Sequence, residues 1–151
     1  NLNVGFWIRD PNKYILWPDM VTAHPRQDFL WEQTCFEIFI GVQGEDFYRE
    51  INLSPSQAWQ AYQFEEYRYP EEMPPQAADD IELNQLKRTH YGLNVSVDLT
   101  DFMATHKLKW ENLFLGLSAV LKTSQGDQYY AMQHSSPQAD FHNKRDWLHV
   151  F

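Results

Sequence analysis

The chain has 151 residues, enough for one domain with its own core, and 43% hydrophobic with 22% charged residues is the balance of a folded protein. A formal net charge of -9, with Lys87-Arg88 and Lys144-Arg145 as the only adjacent basic pairs, argues against a nucleic-acid backbone as partner. The single cysteine, Cys35, excludes an intrachain disulfide and a thiolate metal cluster, and no apolar run approaches the roughly 18 residues of a membrane span.

One cysteine suits a reducing compartment such as the cytoplasm, without excluding export. The chain opens on Asn1 rather than Met, which suggests a truncated or processed start and leaves a signal peptide open.

Taken in order, the segments are mostly strand-like. "LNVGFWIRD" (2–10) alternates, and "KYILWP" (13–18) follows a Pro-Asn turn and ends at Pro18. A loop runs from Asp19 to about residue 33. "TCFEIFIGV" (34–42) is a strong strand, and "DFYREINLSPS" (46–56) follows through a Gly-containing turn, so the two are expected to form a hairpin. "AWQAYQFEEYR" (58–68) comes after a Ser-Pro-Ser turn; its aromatics break strict period two, so a bulge or a helical piece is an open alternative. A Pro-rich acidic loop leads to the paired segments 81–90 and 91–99. Thr100 is a candidate N-cap for a short helix over 100–107. "LFLGLSAVLKT" (113–123) and "QYYAMQH" (128–134) flank a turn at 124–127. A turn or short helix over 140–147 precedes a last strand, "LHVF".

Nine or ten short strands predict one all-β domain over 1–151, an antiparallel sandwich of jelly-roll type with one or two short helices.

Glu37 raises the functional question, because it sits inside the strongest strand. Period two puts Thr34, Phe36, Ile38 and Ile40 on one face and Cys35, Glu37 and Phe39 on the other. In the next strand Phe47, Arg49, Ile51 and Leu53 share a face, opposite Tyr48, Glu50, Asn52 and Ser54. With apolar faces aligned, Glu37 joins Tyr48, Glu50 and Asn52. Two readings are open: a solvated outer face, or a concave site whose carboxylates and amide hydrogen-bond ligand hydroxyls while rings cover its apolar faces. Trp31, Trp59 and Tyr62 are the rings nearest in sequence, each either a platform or core packing.

Other chemistries have weaker support. Glu37 and Glu50 could be a glycosidase pair, held about 5–5.5 Å apart for retention or roughly 6.5–9.5 Å for inversion, but two acids on neighbouring strands are common. Nucleophile, zinc-protease and phosphate-loop motifs are missing. The six histidines are scattered, with no i,i+4 pair for zinc. Haem needs only two axial ligands, and Met20, Met73, Met103 and Met132 are available to pair with a histidine. Asp98, Asp101 and Asp140 would serve calcium only if they converge.

The segments "LWEQTCFEIFIG", "YREINLSPSQAWQAYQFEEYR", "LFLGLSAVLKT" and "ADFHNKRDW" together resemble the bacterial DOMON-like domains, which are similar to the family-nine carbohydrate-binding modules. The resemblance covers nearly the whole chain. It implies a jelly-roll β-sandwich with a non-catalytic role in binding a carbohydrate or similar small polar ligand. In the family pattern a further strand precedes the part that matches Leu2, which implies that the first strand is missing here. Trp31 matches the tryptophan before the first motif strand. Glu37 and Asn52 match recurrent polar positions, Trp59 and Tyr62 match aromatic positions after the Ser-Pro turn, and His142 matches the closing Phe-His. Glu50 is added because it shares their face. Some DOMON relatives hold haem on a Met and a His; no methionine here aligns with that ligand, so the expectation is no cofactor, with haem b as the alternative. A structural or interaction domain with a filled pocket is the remaining alternative.

Overall fold

The computed structural model describes residues 1–151 as eight strands and one short α-helix. The strands are β1 (Leu2–Trp7), β2 (Cys35–Val42), β3 (Tyr48–Leu53), β4 (Trp59–Phe64), β5 (Glu82–Arg88), β6 (Gly92–Asp98), β7 (Leu113–Thr123) and β8 (Gly126–Ala131); α1 spans Thr100–Thr105. All strand pairings within the sheets are antiparallel. One sheet has the order β1-β6-β5 and the other β4-β3-β2-β7-β8. In the larger sheet β2, β3 and β4 form a meander and β7 returns beside β2, which is the strand order of a Greek key. No helix is long and apolar enough to cross a membrane.

The main core lies between the sheets. Phe36, Ile38 and Ile40 of β2 and Ile51 and Leu53 of β3 belong to one buried apolar cluster with Leu86 of β5 and Leu93, Val95 and Val97 of β6. These are the positions that alternation assigns inward. Arg49 shares that face and is buried, so its charge needs a partner. Asp80 supplies it: Arg49 Nε and Nη2 donate to the two carboxylate oxygens at 3.0 and 2.7 Å, and the guanidinium lies 5.0 Å from the Phe102 ring centre.

The strands β2, β3 and β4 of the larger sheet are covered on both faces, a feature that alternation does not foresee. Every residue of β2 and β3 is buried. The outer face carries a second apolar cluster, Phe39, Tyr48, Tyr62, Phe64 and Trp147, with Trp31, Phe114 and Phe141 packed on it.

Several expectations change. There are eight strands rather than nine or ten. Segment 13–18 makes only one bridge, Ile15 to Thr123, because the Asp10 carboxylate takes the backbone N–H groups of Tyr14 and Ile15 at 3.0 and 2.9 Å. The last segment also makes a single bridge, Leu148 to Leu115. It sits on the end of β7 that β8, pairing from Ser118 to Thr123, leaves open. Segment 58–68 has neither bulge nor helix, and β4 pairs with β3 in unbroken register. Its apolar residues occur at both parities because both of its faces are covered. The irregularity falls instead between Leu83 and Gln85 of β5. Thr100 is the first residue of α1 rather than its N-cap, and Asp98 Oδ1 accepts from the Thr100 backbone N–H at 2.8 Å.

Candidate functional site

The outer face of the larger sheet is a floor built by register. Glu37 pairs with Asn52 on β3 and with Ser118 on β7, while Glu50 pairs with Phe39 on β2 and with Tyr62 on β4. Glu37 and Glu50 are therefore diagonal neighbours on one face. That face is not solvated: Glu37 is 4% and Glu50 6% exposed.

Two distant segments cover it. The first is the C-terminal stretch through Phe141, His142 and Trp147. The Trp147 indole stacks on Phe39 with ring centres 5.3 Å apart, and its Nε1–H donates to the Phe141 carbonyl at 2.9 Å. Gly116 makes room for this ring, since a Cβ there would lie 2.4 Å from Trp147 Cδ1. His142 is held between the edges of Phe39, Tyr48 and Phe64. The second cover is the loop after β4. Arg68 Nη2 donates to Asp140 Oδ1 at 2.8 Å and Tyr67 Oη donates to Asp140 Oδ2, so the two covers are tied to each other.

The Tyr48 hydroxyl joins floor and covers. It accepts the backbone N–H of Arg68 at 3.0 Å and lies 2.7 Å from His142 Nδ1. One hydrogen bond thus joins the hydroxyl to Nδ1 of the imidazole. Burial, together with the Arg68 charge, pushes His142 down to about 3, against a smaller opposing pull from Asp140, so the ring is neutral. Nε2 lies 3.6 Å from Glu50 Oε2, too long for a direct hydrogen bond.

Burial dominates both acids. It pushes Glu37 up to about 7, against a hydrogen bond from Ser118 Oγ at 3.1 Å and the Arg68 charge. It also raises Glu50 well above the ordinary carboxyl range, with the Glu37 charge adding to the rise. Cys35 is fully buried on this face and its thiol is raised, first by burial. That is an inert thiol. Asn52 is fully buried, and neither amide atom has a hydrogen-bond partner.

Between floor and covers lies a cleft of about 1010 Å3. Glu37 and Glu50 line its base, and Trp31, Phe64, Tyr129 and Phe141 line its walls together with Arg68 and His142. Glu32, Glu71, Glu72, Met73 and Lys122 also border it. A second cavity of about 630 Å3, bordered by Phe6, Ile8, Tyr14, Phe36 and Leu121, is mainly apolar and contains none of the nominated residues.

The structure thus brings Trp31, Glu37, Glu50 and His142 together around one cleft. Asn52 lies in its floor beside Glu37. Tyr62 is fully buried; its hydroxyl donates to Asp28 Oδ1 at 2.8 Å and its ring sits beneath Trp31 at 6.1 Å, so it supports the platform rather than forming it. Trp59 is a correction. It opposes Leu53 on the inner face and belongs to the inter-sheet core, with its indole N–H on the His24 carbonyl at 3.2 Å and Arg26 over its ring. A six-residue strand puts positions 59 and 62 on opposite faces, so parity alone separates the two rings. Arg68, Tyr129 and Phe141 were not nominated. Parity could have found Tyr129, opposite Val120 on β8, but no local pattern announces Arg68, whose partner Asp140 is 72 positions away.

No group of three or more His, Cys, Asp or Glu side chains is arranged to hold a metal ion. The calcium set does not gather: Asp98 serves Thr100 at the start of α1, and Asp140 serves Tyr67 and Arg68. Compared with family models, curated proteins and solved structures, the chain matches none.

Proposed function

We propose that the chain is a non-catalytic ligand-binding domain for a carbohydrate or a similar small polar molecule, held in the cleft over the outer face of the larger sheet. The observation that carries this reading is the Glu37–Glu50 pair, buried in the floor of an open cleft with aromatic walls. The two carboxyl groups and Nε2 of His142 offer hydrogen bonds to several hydroxyls, and Trp31 and Phe141 offer apolar faces to a sugar ring. The resemblance to DOMON-like and family-nine carbohydrate-binding domains points the same way.

Hydrolysis has less support. A glycosidase needs environments that drive its two acids apart, one protonated and one ionised. Here burial pushes both upward. Haem also has less support, although Met73 and His142 both border the cleft. Nδ1 of His142 is already taken by the Tyr48 hydroxyl, and the ring is packed among Phe39, Tyr48 and Phe64. An array of neutral and charged glycans tests the proposal: saturable binding that weakens in Trp31→Ala is expected, and no binding to any glycan at high protein concentration would overturn it.

A further inference from the structure

Acidic groups outnumber basic ones around the cleft. Five carboxyl groups border it, those of Glu32, Glu37, Glu50, Glu71 and Glu72, against the cations of Arg68 and Lys122. Burial favours the protonated form of Glu37 and Glu50, and a cation seated against them favours the ionised form. Both cations are already committed to acids that do not line the cleft: Arg68 to Asp140 at 2.8 Å and Lys122 to Asp127 at 2.7 Å. None of the five carboxylates forms an ion pair with a lysine or arginine.

A second observation lifts this above an acidic patch. Glu50 is 6% exposed yet borders the cleft, and no donor meets its carboxyl in good hydrogen-bond geometry; the Asn52 amide beside it gives only the weakest of the pulls on it. It faces Nε2 of the neutral His142 at 3.6 Å, and the adjoining Asn52 amide is itself unpartnered. A buried carboxyl without a donor is costly to maintain, so a donor arriving from the cleft is strongly favoured there. The walls suit a cation in particular: the faces of Trp31, Phe64, Tyr129 and Phe141 are electron-rich, and an ammonium group has three N–H donors for carboxylates.

Building on the carbohydrate reading, we infer that the ligand of this cleft carries a protonated amine, which sits against Glu50 and Glu37 between the aromatic walls. Among saccharides this selects amino sugars with a free amine over neutral, N-acylated or acidic ones. Two acids and a ring wall recognise the ammonium, and the remaining hydroxyls meet His142 and the rim.

The test is a calorimetric titration of the intact chain at pH 7 and moderate salt with three tetrasaccharides of one linkage: β-1,4-glucosamine, its fully N-acetylated form and β-1,4-glucose. The free amine is expected to bind at least roughly tenfold more tightly than either neutral ligand, a ratio equal to about one ion-pair-strength contact. In Glu50→Gln the ratio is expected to fall toward one, and circular dichroism checks that the variant is folded. If Glu50→Gln does not fold, the wild-type ratio still decides. Equal or weaker binding of the free amine overturns the amine assignment while leaving the carbohydrate reading in place. Absence of binding by all three overturns the amine assignment, and the glycan array then decides the carbohydrate reading.

Discussion

The Tyr48 hydroxyl stands 2.7 Å from Nδ1 of His142, 94 positions away in the chain, and accepts the Arg68 backbone N–H at 3.0 Å. One phenol thereby joins the sheet floor to both of its covers. Tyr48→Phe removes the acceptor of Arg68 N–H and the hydrogen-bond partner of Nδ1 while keeping the ring stack on Phe64. The expected loss is about 1–3 kcal/mol in chemical denaturation. Hydrogen exchange is expected to rise at Arg68 and around His142 while β5 and β6 stay protected. A uniform change over both sheets would contradict the local role.

The pH dependence of stability follows from groups pulled in opposite directions. Glu37 titrates near 7 in the folded state against 4.5 as its ordinary value, so the folded state holds the proton more tightly. Its contribution is complete below about 4.5 and is lost as pH rises through about 7. For Glu37 this amounts to roughly 3 kcal/mol, and Glu50 shifts in the same direction. His142 acts on the other limb, since it titrates near 3 when folded and 6.5 ordinarily. Its neutral form stabilises above 6.5, and that stability is lost as pH falls through about 3. The groups facing these acids are Cys35, Ser118, Asn52, His142 and Arg68. From about pH 3 to 4.5 His142 alone of these groups acts and stability rises, and above 4.5 the two acids outweigh it, so melting temperature is expected to peak near pH 4.5, and Glu37→Gln is expected to flatten the alkaline limb. An unchanged alkaline limb in that variant would contradict the buried-acid account.

The inner core depends on a different charge. Arg49 keeps its guanidinium buried through the two hydrogen bonds that it donates to Asp80. Asp80→Ala leaves that charge without its partner and is expected to cost about 3–5 kcal/mol. Denaturant unfolding measures it, and a loss under 1 kcal/mol would show that His106 or water takes over the partnership.

Asn52 separates stability from binding. Its buried amide has no partner, so Asn52→Leu, similar in volume, is expected to fold with equal or about 1 kcal/mol greater stability. The same variant is expected to bind saccharide more weakly, if the amide assists Glu37 and Glu50. Lost stability with unchanged binding would assign Asn52 to structure alone.

Alternation made much of this readable. "CFEIFI" and "YREINL" place Ile38 and Ile51 inward and Glu37, Glu50 and Asn52 outward, and the observed register aligns them in that way. The burial of Glu37 was not readable, because its covers come from the loop around Arg68 and the segment of Phe141, His142 and Trp147. Contacts at such separations leave no periodic trace. Trp59 takes the core alternative rather than the site position that the resemblance implies, because its parity sets it with Leu53 and Ala61 on the inner side.

The central claim is that ligand enters the cleft above Glu37 and Glu50. The six tryptophans provide a direct reading of this, since each indole N–H gives its own signal in a 1H–15N correlation spectrum. Titration with the β-1,4-glucosamine tetrasaccharide is expected to shift Trp31, at the cleft wall, and to leave Trp59, in the inter-sheet core, and Trp7, on β1, unmoved. Movement of Trp7 or Trp59 with Trp31 unmoved would place binding elsewhere and contradict the account.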